Sequence, residues 1–319
     1  MSDLQRVAEA LRVAGAVAVL SHESPEADAI GASLGAALAM EAAGKQVGVY
    51  NVGPLPAALR GLPGVERVQS VLDRSYPCYL VLDTTEPART GGLLERRSAG
   101  SQLLNVDHHL DNRGFGDLNW VDPVASSAGE MVYRLLLAAG FPLSPPVATN
   151  LYAAVLTDTG GFRHANTTPD ALRIGAELVA GGAAPGEIAR SLYGQRDPRE
   201  LHLLGLALAE LGVSPDGRLA WITVSRTAQA AAGVGLEAAE DFVQYPRAVA
   251  GVVIAVAFKE AAAEEVRVSL RSWGAVDVAA LARRFGGGGH RNAAGCTLRL
   301  PLAAARATLL EAAAVLARA

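Results

Sequence analysis

The sequence predicts an α/β fold in two parts: a first domain with a mostly parallel sheet and helices on both faces, then a smaller α/β domain, with a cleft between them. Two observations support this prediction. Short apolar runs alternate with helical stretches through the first half of the chain, as in sheets whose parallel strands are joined by helices. From about residue 213 onward, the pattern changes to a new series of strands separated by helices. The 319 residues are enough for two ordinary domains.

The first domain is predicted over residues 1–190. Its apolar runs predict four strands, at residues 16–22, 45–51, 78–85 and 101–109. Helical patterns are found at residues 29–44, 127–140 and 147–162. Gly140 closes the second of these helices, since glycine is common just after a helix end.

The second domain is predicted over residues 213–319. The stretch before it, residues 171–211, has a helical pattern that a Gly-Pro break interrupts, and a helical connection is predicted over residues 191–212. Strands of the second domain are predicted at residues 217–225, 252–260 and 265–273, followed by a helix-like stretch, a run of four glycines and a terminal strand within residues 277–300.

Composition excludes several classes of protein. Half of the residues are hydrophobic, so the chain is not disordered. No basic leader with an apolar core is found and no window reaches about 18 uncharged apolar residues, so a cytoplasmic protein without a membrane partner is expected. The two cysteines, Cys78 and Cys296, form no C-x-x-C pair and are expected to be buried, reduced thiols.

Charge is unevenly distributed along the chain. The net charge of −4 argues against a protein that coats long nucleic acids through its field alone. From Val213 onward there are 12 basic and 9 acidic residues, against 16 basic and 23 acidic residues before it. An acidic first part suits a cation site, and a mildly basic second part suits a small anionic ligand.

Polar residues end several of the predicted strands. His22 follows the first strand, Asp83 ends the third, and the triplet Asp107-His108-His109 ends the fourth. In open parallel sheets, ligands bind beyond the carboxyl ends of the strands. We therefore expect these separate positions to converge on one edge of the sheet.

Further carboxylates lie near these positions. Glu26 and Asp28 follow His22 in SHESPEADAIG, and Asp158 lies in LTDTGGF. Such donors suit a divalent metal such as Mn²⁺. Structural roles are the alternatives: Asp28 as the N-cap of the next helix, and Asp83 and Asp158 as turn residues.

The histidines have structural alternatives as well. One member of the His108-His109 pair would then lie in the core and the other at the surface. His164 and His202 are expected to be structural or surface residues.

Together the candidates supply more ligands than a single metal needs. Two metals bridged by a shared carboxylate would use all of them, and such a pair acts on the attacking and leaving oxygens of an in-line displacement at phosphorus. No G-x-x-x-x-G-K-[ST] loop is present, so P-loop nucleotide hydrolysis is not expected. The candidate ligands are His22, Glu26, Asp28, Asp83, His108 and Asp158.

The segment RRFGGGGHRNAAG, residues 283–295, predicts an anion site. Its glycines permit close backbone approach, and their N–H groups can hold an oxyanion. His290 and Arg291 follow at once, Arg271 lies on the preceding strand, and arginine suits bidentate contact with phosphate. A flexible turn before a terminal strand is the structural alternative.

At these residues the chain resembles the DHH–DHHA1 phosphoesterase family. More narrowly, it resembles the bacterial branch that degrades nanoRNA and removes a phosphate from 3′-phosphoadenosine 5′-phosphate (pAp). The resemblance covers essentially the whole chain. Ordered motifs carry it: SHESPEADAIG, VLDTTEPARTG, VDHHLDN, TDTGGF, SLRS and GGGGHRNAAG.

The resemblance implies a pair of Mn²⁺ ions, with Mg²⁺ as the other metal considered. One ion would take His22, Glu26 and Asp83. The other would share Asp83 as a bridge and take three further ligands, which are Asp28, His108 and Asp158.

The resemblance also implies roles for residues that do not bind metal. Asp107 would orient a ligand, and His109 would face the scissile phosphate and help neutralise its charge. The implied substrate-binding residues are Asn112, Arg271, Gly288, Gly289, His290 and Arg291.

One departure from the family pattern bears on the metal site. The first motif usually reads Asp-x-Asp, and here it reads Glu26-Ala27-Asp28. Glutamate is one methylene longer, so a changed metal spacing or a weak first metal site is expected there.

The expected function is a metal-dependent phosphodiesterase that hydrolyses short oligoribonucleotides to mononucleotides, together with pAp 3′-phosphatase activity. The family's long-strand exonucleases carry additional domains, which are not found in this sequence. The alternatives are hydrolysis of cyclic or linear di-adenosine nucleotides, and a nucleotide-binding regulator that has lost catalysis, which Glu26 alone favours. A homodimer is the oligomeric state considered.

Overall fold

The computed structural model describes residues 1–318, with His290 described by its backbone alone. The chain divides into two units, residues 1–195 and the residues from Arg196 onward. The proposed domain limits, 1–190 and 213–319 with a connection at 191–212, differ from this division mainly because the helix at residues 198–209 belongs to the second unit.

The first unit is built on a six-stranded sheet. Its strands are β1 (Ala16–Leu20), β2 (Gln46–Tyr50), β3 (Val68–Gln69), β4 (Cys78–Leu82), β5 (Gln102–Asp107) and β6 (Leu118–Val121). They run in the order β3-β2-β1-β4-β5-β6, and every pair is parallel. The predicted α/β fold with a parallel sheet is confirmed. The sequence analysis does not predict β3 and β6, because strands of two and four residues are too short to show an alternation pattern.

Six α-helices belong to this unit: α1 (Asp3–Val13), α2 (Ala27–Ala42), α3 (Ala128–Ala139), α4 (Pro145–Asp158), α5 (Pro169–Ala180) and α6 (Pro185–Tyr193). Their starts follow ordinary capping chemistry. The side chains of Ser2, Ser127 and Thr168 accept hydrogen bonds from backbone N–H groups in the first turns of α1, α3 and α5. Proline begins α4, α5 and α6, where no N–H donor is needed.

The two faces of the sheet are covered differently. On one face, all six α-helices contribute to the largest apolar core of the protein. On the other face, Leu20 and Tyr79 pack with Tyr76 and with the 3₁₀ helix at Leu94–Arg96. The expectation of helices on both faces is therefore corrected: α-helices cover one face, and short 3₁₀ helices and loops cover the other.

A close contact between α2 and α4 positions part of the site described below. A Cβ atom at Gly31 on α2 would lie 2.5 Å from the backbone oxygen of Asn150 on α4. Any larger residue would force the helices apart. The close contact holds α2, which carries Asp28 in its first turn, beside the helix that ends at Asp158.

The second unit contains a mixed sheet. Its helices are α7 (Pro198–Ala209), α8 (Arg226–Ala232), α9 (Gln244–Arg247), α10 (Val278–Arg283) and α11 (Leu302–Arg318). Its strands are β7 (Gly212–Val213), β8 (Leu219–Val224), β9 (Ile254–Ala262), β10 (Glu265–Ser272), β11 (Gly288–His290) and β12 (Ala293–Leu298). The order is β11-β12-β10-β9-β8-β7, with β8 and β9 parallel and the other pairs antiparallel. The predicted second α/β domain is confirmed.

Two apolar cores lie on opposite sides of this second sheet. One packs α10 and α11 on alternate side chains of β9, β10 and β12, among them Val256, Leu270 and Cys296. The other packs α7 and the segment around Phe242 on the intervening side chains of β8 and β9, such as Ala257. Alternate residues of β9 therefore enter different cores, as the strand geometry requires.

Both cysteines are buried and free of disulfide bonds, as predicted. Burial raises the pKa of Cys78 to about 12 and that of Cys296 to about 11, so both thiols stay protonated at neutral pH. Among the described helices, none combines the length and the apolar character that crossing a bilayer requires.

Candidate metal centre and active site

The predicted polar residues of the first unit lie at one edge of its sheet. His22 follows β1 by two residues, Asp83 directly follows β4, and His108 directly follows β5. Asp28 lies in the first turn of α2, which succeeds β1, and Asp158 is the last residue of α4. Because parallel strands end at a common edge, side chains that are far apart in the sequence meet there.

Asp83 lies between two histidines. Its Oδ2 atom is 3.4 Å from Nε2 of His22, and its Oδ1 atom is 3.4 Å from Nε2 of His108. The residue is 1% exposed. Its φ angle of 53° falls in the left-handed region, which aspartate enters more readily than most residues. The two oxygens of one carboxylate thus face two different imidazoles.

Two groups of side chains present ligand atoms that are close enough to hold one cation each. In the first group the atoms of His22, Glu26 and Asp83 lie within 4.8 Å of one another. In the second group the same limit applies to Asp28, His108 and Asp158. His108 Nε2 lies 3.7 Å from Asp28 Oδ2 and 3.9 Å from Asp158 Oδ2. The structure thus brings together the three residues of the first implied set and three of the four residues of the second, and Asp83 Oδ1 lies 3.4 Å from His108 of that second group.

The chemistry of these donors fits a divalent cation. Among the described residues, His22 Nδ1 and Asp83 Oδ1 are buried without a hydrogen-bond partner. Such atoms normally cost free energy unless a ligand or ion satisfies them. Imidazole nitrogens and carboxylate oxygens together are donors that Mn²⁺ accepts. A bound cation would therefore satisfy atoms that the protein leaves unpaired.

The carboxylates of the site disfavour one another's charge. Desolvation, followed by repulsion from Asp83, raises the pKa of Glu26 to about 8. Burial and the Asp83 charge also raise the pKa of Asp158 to about 6 and that of Asp28 well above its usual value. Glu26 is nevertheless exposed to solvent, so water screens part of the rise in its pKa. Positive charge is what this cluster lacks.

Asp83 and His108 shift in the opposite sense. Burial would raise the pKa of Asp83, but the adjacent imidazoles of His108 and His22 outweigh it and hold the pKa well below its usual range. Burial would likewise lower the pKa of His108, but the adjacent Asp83 carboxylate and the nearby Asp28 carboxylate hold that pKa well above its usual value. A proton on His108 thus supplies part of the missing positive charge when no cation is bound.

Asp28 is fixed by the amino end of α3. Its Oδ2 atom accepts the N–H of Ala128 at 2.8 Å, and its Oδ1 atom accepts the N–H of Gly129 at 2.9 Å. Free N–H groups at a helix start favour a negative partner. The alternative role of Asp28 as the N-cap of α2 is wrong, because Glu26 holds that position and its side chain caps no backbone group.

His109 is held by Asp107 and through it by Asn112. Its Nδ1 atom lies 2.7 Å from Asp107 Oδ1, and Asn112 donates to Asp107 Oδ2 at 2.6 Å and to Asn105 Oδ1 at 2.8 Å. Burial would lower the pKa of His109, but the bond to Asp107 outweighs it and raises the pKa. The resemblance implies a substrate contact for Asn112, but in this structure its side-chain amide donates to Asp107 and Asn105.

Both histidines of the pair belong to the site. Asp83, His108 and His109 form a third group of ligand atoms within 4.8 Å, which the sequence analysis does not predict. The alternative of one core histidine and one surface histidine is therefore wrong. His164 lies beside the site, with Nδ1 at 3.3 Å from the Asp158 backbone oxygen, and His202 is exposed on α7.

Three asparagines that the sequence analysis does not predict support these side chains. Asn51 donates to the backbone oxygen of His22 at 2.7 Å, and Asn166 donates to Asp158 Oδ2 at 3.2 Å. Asn105, on β5, accepts the hydrogen bond described above. Asn51 carries a usable signal, because it directly follows the apolar strand β2 and so marks the same edge of the sheet.

In the second unit, the glycine-rich segment forms an edge strand. β11 is the last strand of its sheet and pairs with β12, Gly288 lying opposite Gly295. At Gly289, with φ of 133°, a Cβ atom would lie 2.5 Å from the backbone oxygen of Ala293, so only glycine permits the close pairing. The glycine run is therefore not a turn throughout: Gly286 lies in a turn, whereas Gly288 and Gly289 belong to β11. An edge strand leaves some backbone N–H groups without a neighbouring strand, as an anion site needs.

The predicted basic residues lie on this strand, directly after it and on the second strand from it. Arg271 lies opposite Ala293 in the β10–β12 pair, and Ala293 lies opposite the backbone of His290 in the β12–β11 pair. Arg291 is exposed, and its Nε and Nη2 atoms donate to the backbone oxygen of Ala275 at 3.1 and 2.7 Å.

Comparisons with known proteins agree with these features. Residues 16–155 match the model of the DHH family, N-terminal domain, and residues 224–317 match the DHHA1 domain. The chain is 37% identical over 313 residues to the bifunctional oligoribonuclease and PAP phosphatase NrnA of Thermus thermophilus, covering 97% of this chain and 93% of the relative. It is 29% identical to the Bacillus subtilis protein of the same name, covering 87% of each chain.

Solved structures agree as well. The crystal structure of an exopolyphosphatase-related protein from Bacteroides fragilis superimposes with a TM-score of 0.89 at 27% identity, covering 98% of this chain and 95% of that one. RecJ from Thermus thermophilus shares the fold, with a TM-score of 0.53 at 16% identity, covering 98% of this chain and 55% of that one. With its two matched domains in this order and its clustered DHH motif, the chain belongs to the DHH family.

Proposed function

We propose that this protein is a metal-dependent phosphodiesterase that hydrolyses short oligoribonucleotides to mononucleotides and removes the 3′-phosphate of pAp. One observation carries the proposal: two groups of ligand atoms meet at one sheet edge. Asp83 belongs to the first group, and its Oδ1 atom lies 3.4 Å from His108 Nε2 of the second. The relative at 37% identity is named as an oligoribonuclease and PAP phosphatase, and its similarity extends over 97% of this chain.

The metal ligands are assigned by group. His22, Glu26 and Asp83 would hold one ion, and Asp28, Asp83, His108 and Asp158 would hold the other. When bound, divalent ions such as Mn²⁺ or Mg²⁺ supply positive charge at the phosphate oxygens and make hydroxide available near neutral pH. The mixture of imidazole and carboxylate donors favours Mn²⁺ over Mg²⁺, which prefers oxygen donors.

The other residues of the first unit position charge. Asp107 fixes the ring of His109 through Nδ1, and we assign His109 Nε2 to the scissile phosphate. Asn112 is assigned to the support of Asp107, because its side-chain amide donates to that carboxylate. A rigid imidazole can then stabilise charge that develops on the phosphate without first reorganising.

In the second unit, we assign the binding of a nucleotide phosphate to the basic residues and the edge strand. Arginine side chains and backbone N–H groups are the donors that bind phosphate without regard to sequence. The assigned residues are Arg271, Gly288, Gly289, His290 and Arg291.

A turnover assay with 5′-labelled ApA and with pAp tests the function. We expect mononucleotide and free phosphate to form in the presence of Mn²⁺, with less in Mg²⁺ and none in excess chelator. Binding of ApA without turnover at saturating Mn²⁺ would instead support a regulator. Faster hydrolysis of cyclic di-adenosine nucleotides than of ApA would support the alternative phosphodiesterase.

The regulator alternative depends on whether Glu26 weakens the first metal site. Its carboxylate lies within the same ligand group as His22 and Asp83, which supports a working first metal site despite the longer side chain. Two ions per chain in a metal-binding titration would agree with this, and one ion would not.

Domain limits and oligomeric state remain separate proposals. Cleavage by a protease within residues 191–212 would support the proposed connection. A homodimer would show in size-exclusion chromatography with light scattering.

A further inference from the structure

Trp273 directly follows β10 and is unusually exposed for a tryptophan that is held in place. Its side chain is 47% exposed. Its Nε1 atom donates to the backbone oxygen of Arg247 at 3.2 Å, and its backbone N–H donates to Val253 at 3.1 Å. The Arg247 guanidinium lies 3.8 Å from the centre of the indole ring. The ring is therefore fixed before any ligand arrives.

Trp273 lies just past β10, and its contacts with Arg247 place the indole next to the segment whose residues Val243 and Val249 belong to, or pack against, the core beneath α7. Arg271 lies opposite Ala255, and Ala255 belongs to the core beneath α7 rather than the core beneath α11. The hydrogen bond from Trp273 to Val253 continues this pairing by two residues. Residues two apart on a strand point to the same side and lie about 6.6 to 6.8 Å apart. Because Arg271 points to the side of the core beneath α7 and the indole lies on Arg247 at that side, we take the arginine and the indole as neighbours on one face.

This face is open where it carries charge. The core on this side is formed by residues of β8 and β9 and of the segments around α7 and α9, and among the described residues it includes none from β10, β11 or β12. Ser269 and Arg267 continue the same side of β10 beyond Arg271, the arginine exposed and the serine half-buried. Small and basic residues therefore lie beside a fixed aromatic ring.

Proteins that bind single-stranded nucleic acid combine these two features. A positive surface follows the backbone, and aromatic side chains offer faces on which bases stack. A single exposed apolar residue would need no explanation. A rigid indole that is stacked on an arginine and lies two residues from a phosphate-binding candidate fits base stacking specifically.

We propose that Trp273 is the surface on which the base of a bound nucleotide stacks, while Arg271 holds the phosphate of that nucleotide. The proposal rests on the proposed function, since it takes short oligoribonucleotides as the substrate. Stacking does not read a base sequence, but it is stronger for purines because their ring surface is larger. Adenine-containing substrates are therefore bound more tightly than uracil-containing ones.

Kinetics of ApA and UpU with two variants test the proposal. We expect Trp273→Leu to raise KM for ApA about tenfold and KM for UpU by less, with kcat little changed. Trp273→Phe keeps an aromatic face and loses only the Nε1 donor, so it should stay close to the wild type. Val315→Ala, which removes exposed apolar surface from α11 on the other side of the sheet, should change neither constant.

The variants separate stacking from a structural role. Equal losses for Trp273→Phe and Trp273→Leu would show that the Nε1 bond to Arg247 matters instead, and would overturn the proposal. Equal effects on ApA and UpU, or no effect on either, would overturn it as well.

Fluorescence keeps the two proposals distinguishable. Titrating the wild type with AMP should quench tryptophan emission, and Trp273→Phe, which retains Trp120 and Trp221, should lose the quenching. If the wild type fails to hydrolyse ApA, the proposed function fails, yet the AMP titration still decides whether a base stacks on Trp273. Quenching that persists in Trp273→Phe would contradict the stacking role.

Discussion

The carboxyl edge of the first sheet and the open face of the second differ in how far they are built in advance. At the first, Asp28, Asp83 and Asp107 are almost completely buried, and each accepts hydrogen bonds or faces an imidazole. At the second, Arg291 and Trp273 are exposed, although both are held by backbone carbonyls. Burying like charges is costly unless something compensates for them. The first region is therefore built for a charged ligand of fixed position, and the second for a ligand that varies.

This difference predicts two kinds of defect. Changes at the sheet edge should reduce the rate of the chemical step, because the geometry of charge there is fixed. Changes on the open face should weaken binding and leave the rate at saturation nearly intact. A change at the sheet edge that mainly raises KM, or a change on the open face that mainly lowers kcat, would contradict this difference between the two regions.

The largest effect is expected for Asp83→Asn. The amide keeps the shape but removes the negative charge that we propose both metal ions share, so kcat should fall about a thousandfold or more. Turnover of ApA at saturating Mn²⁺ measures the loss, and thermal unfolding checks that the variant folds. Asp111→Asn, the same change at an exposed position close to the motif, should keep full activity. Near-native turnover by Asp83→Asn would remove Asp83 as the bridge.

A smaller loss is expected for Asp107→Asn. It would no longer fix the His109 ring in the same tautomer, and residues that orient a working group typically contribute about tenfold to hundredfold. The fall should appear in kcat, while the number of Mn²⁺ ions bound stays the same because Asp107 is outside both ligand sets. Loss of a bound ion in equilibrium dialysis would make Asp107 a ligand instead.

Arg291→Ala tests the open face of the second sheet, where changes are expected to weaken binding. Removing a charged hydrogen-bond donor to phosphate should raise KM for ApA about tenfold with kcat nearly unchanged. Arg306→Ala, an exposed arginine on α11 beneath the opposite side of the sheet, serves as the matched control. An unchanged KM would argue against this segment as a phosphate-binding site.

The smallest effect concerns stability without metal. Glu26, with its pKa raised to about 8, and Asp158, at about 6, hold protons in the folded state that they lose in the unfolded state above about pH 4.5. The raised pKa values of His108 and His109 act in the same direction. Folding stability should therefore fall as pH rises from 5 to 8, because the folded state binds more protons in that window.

Thermal unfolding of chelated protein measures this trend. The midpoint should drop by a few degrees across the window. Saturating Mn²⁺ should reverse the trend, since cations bind the deprotonated carboxylates. A midpoint of the chelated protein that rises with pH would contradict the charge arrangement described for the sheet edge.

The sequence alone predicts that the site residues converge on one sheet edge. It does not predict the contacts that hold them there. His22, Asp83 and His108 follow strands that are long enough to show as apolar runs, and parallel topology then places them together. Asp28 was ambiguous because its partners, the N–H groups of Ala128 and Gly129, lie about a hundred residues away. No local pattern reports such a bond.

The local sequence pattern also does not predict which elements cover each face of the first sheet. A run such as β4, buried at all of its positions, shows that both faces are covered but not by what. Irregular segments such as the one that contains Leu93 and Leu94 can fill that place as well as helices do. The supporting asparagines were missed for a related reason: a single amide within or after a strand is also typical of a turn.

The backbone at Asp83 has a consequence for how this enzyme can change over generations. Glu26 has φ of −128° and ψ of −179°, a conformation open to nearly every amino acid, whereas Asp83 has φ of 53°, which excludes β-branched and bulky residues. A library with all amino acids at both positions should return several active variants at position 26 and almost none at position 83, even among other acids. The backbone therefore permits side chains of different length at position 26 and strongly restricts them at position 83.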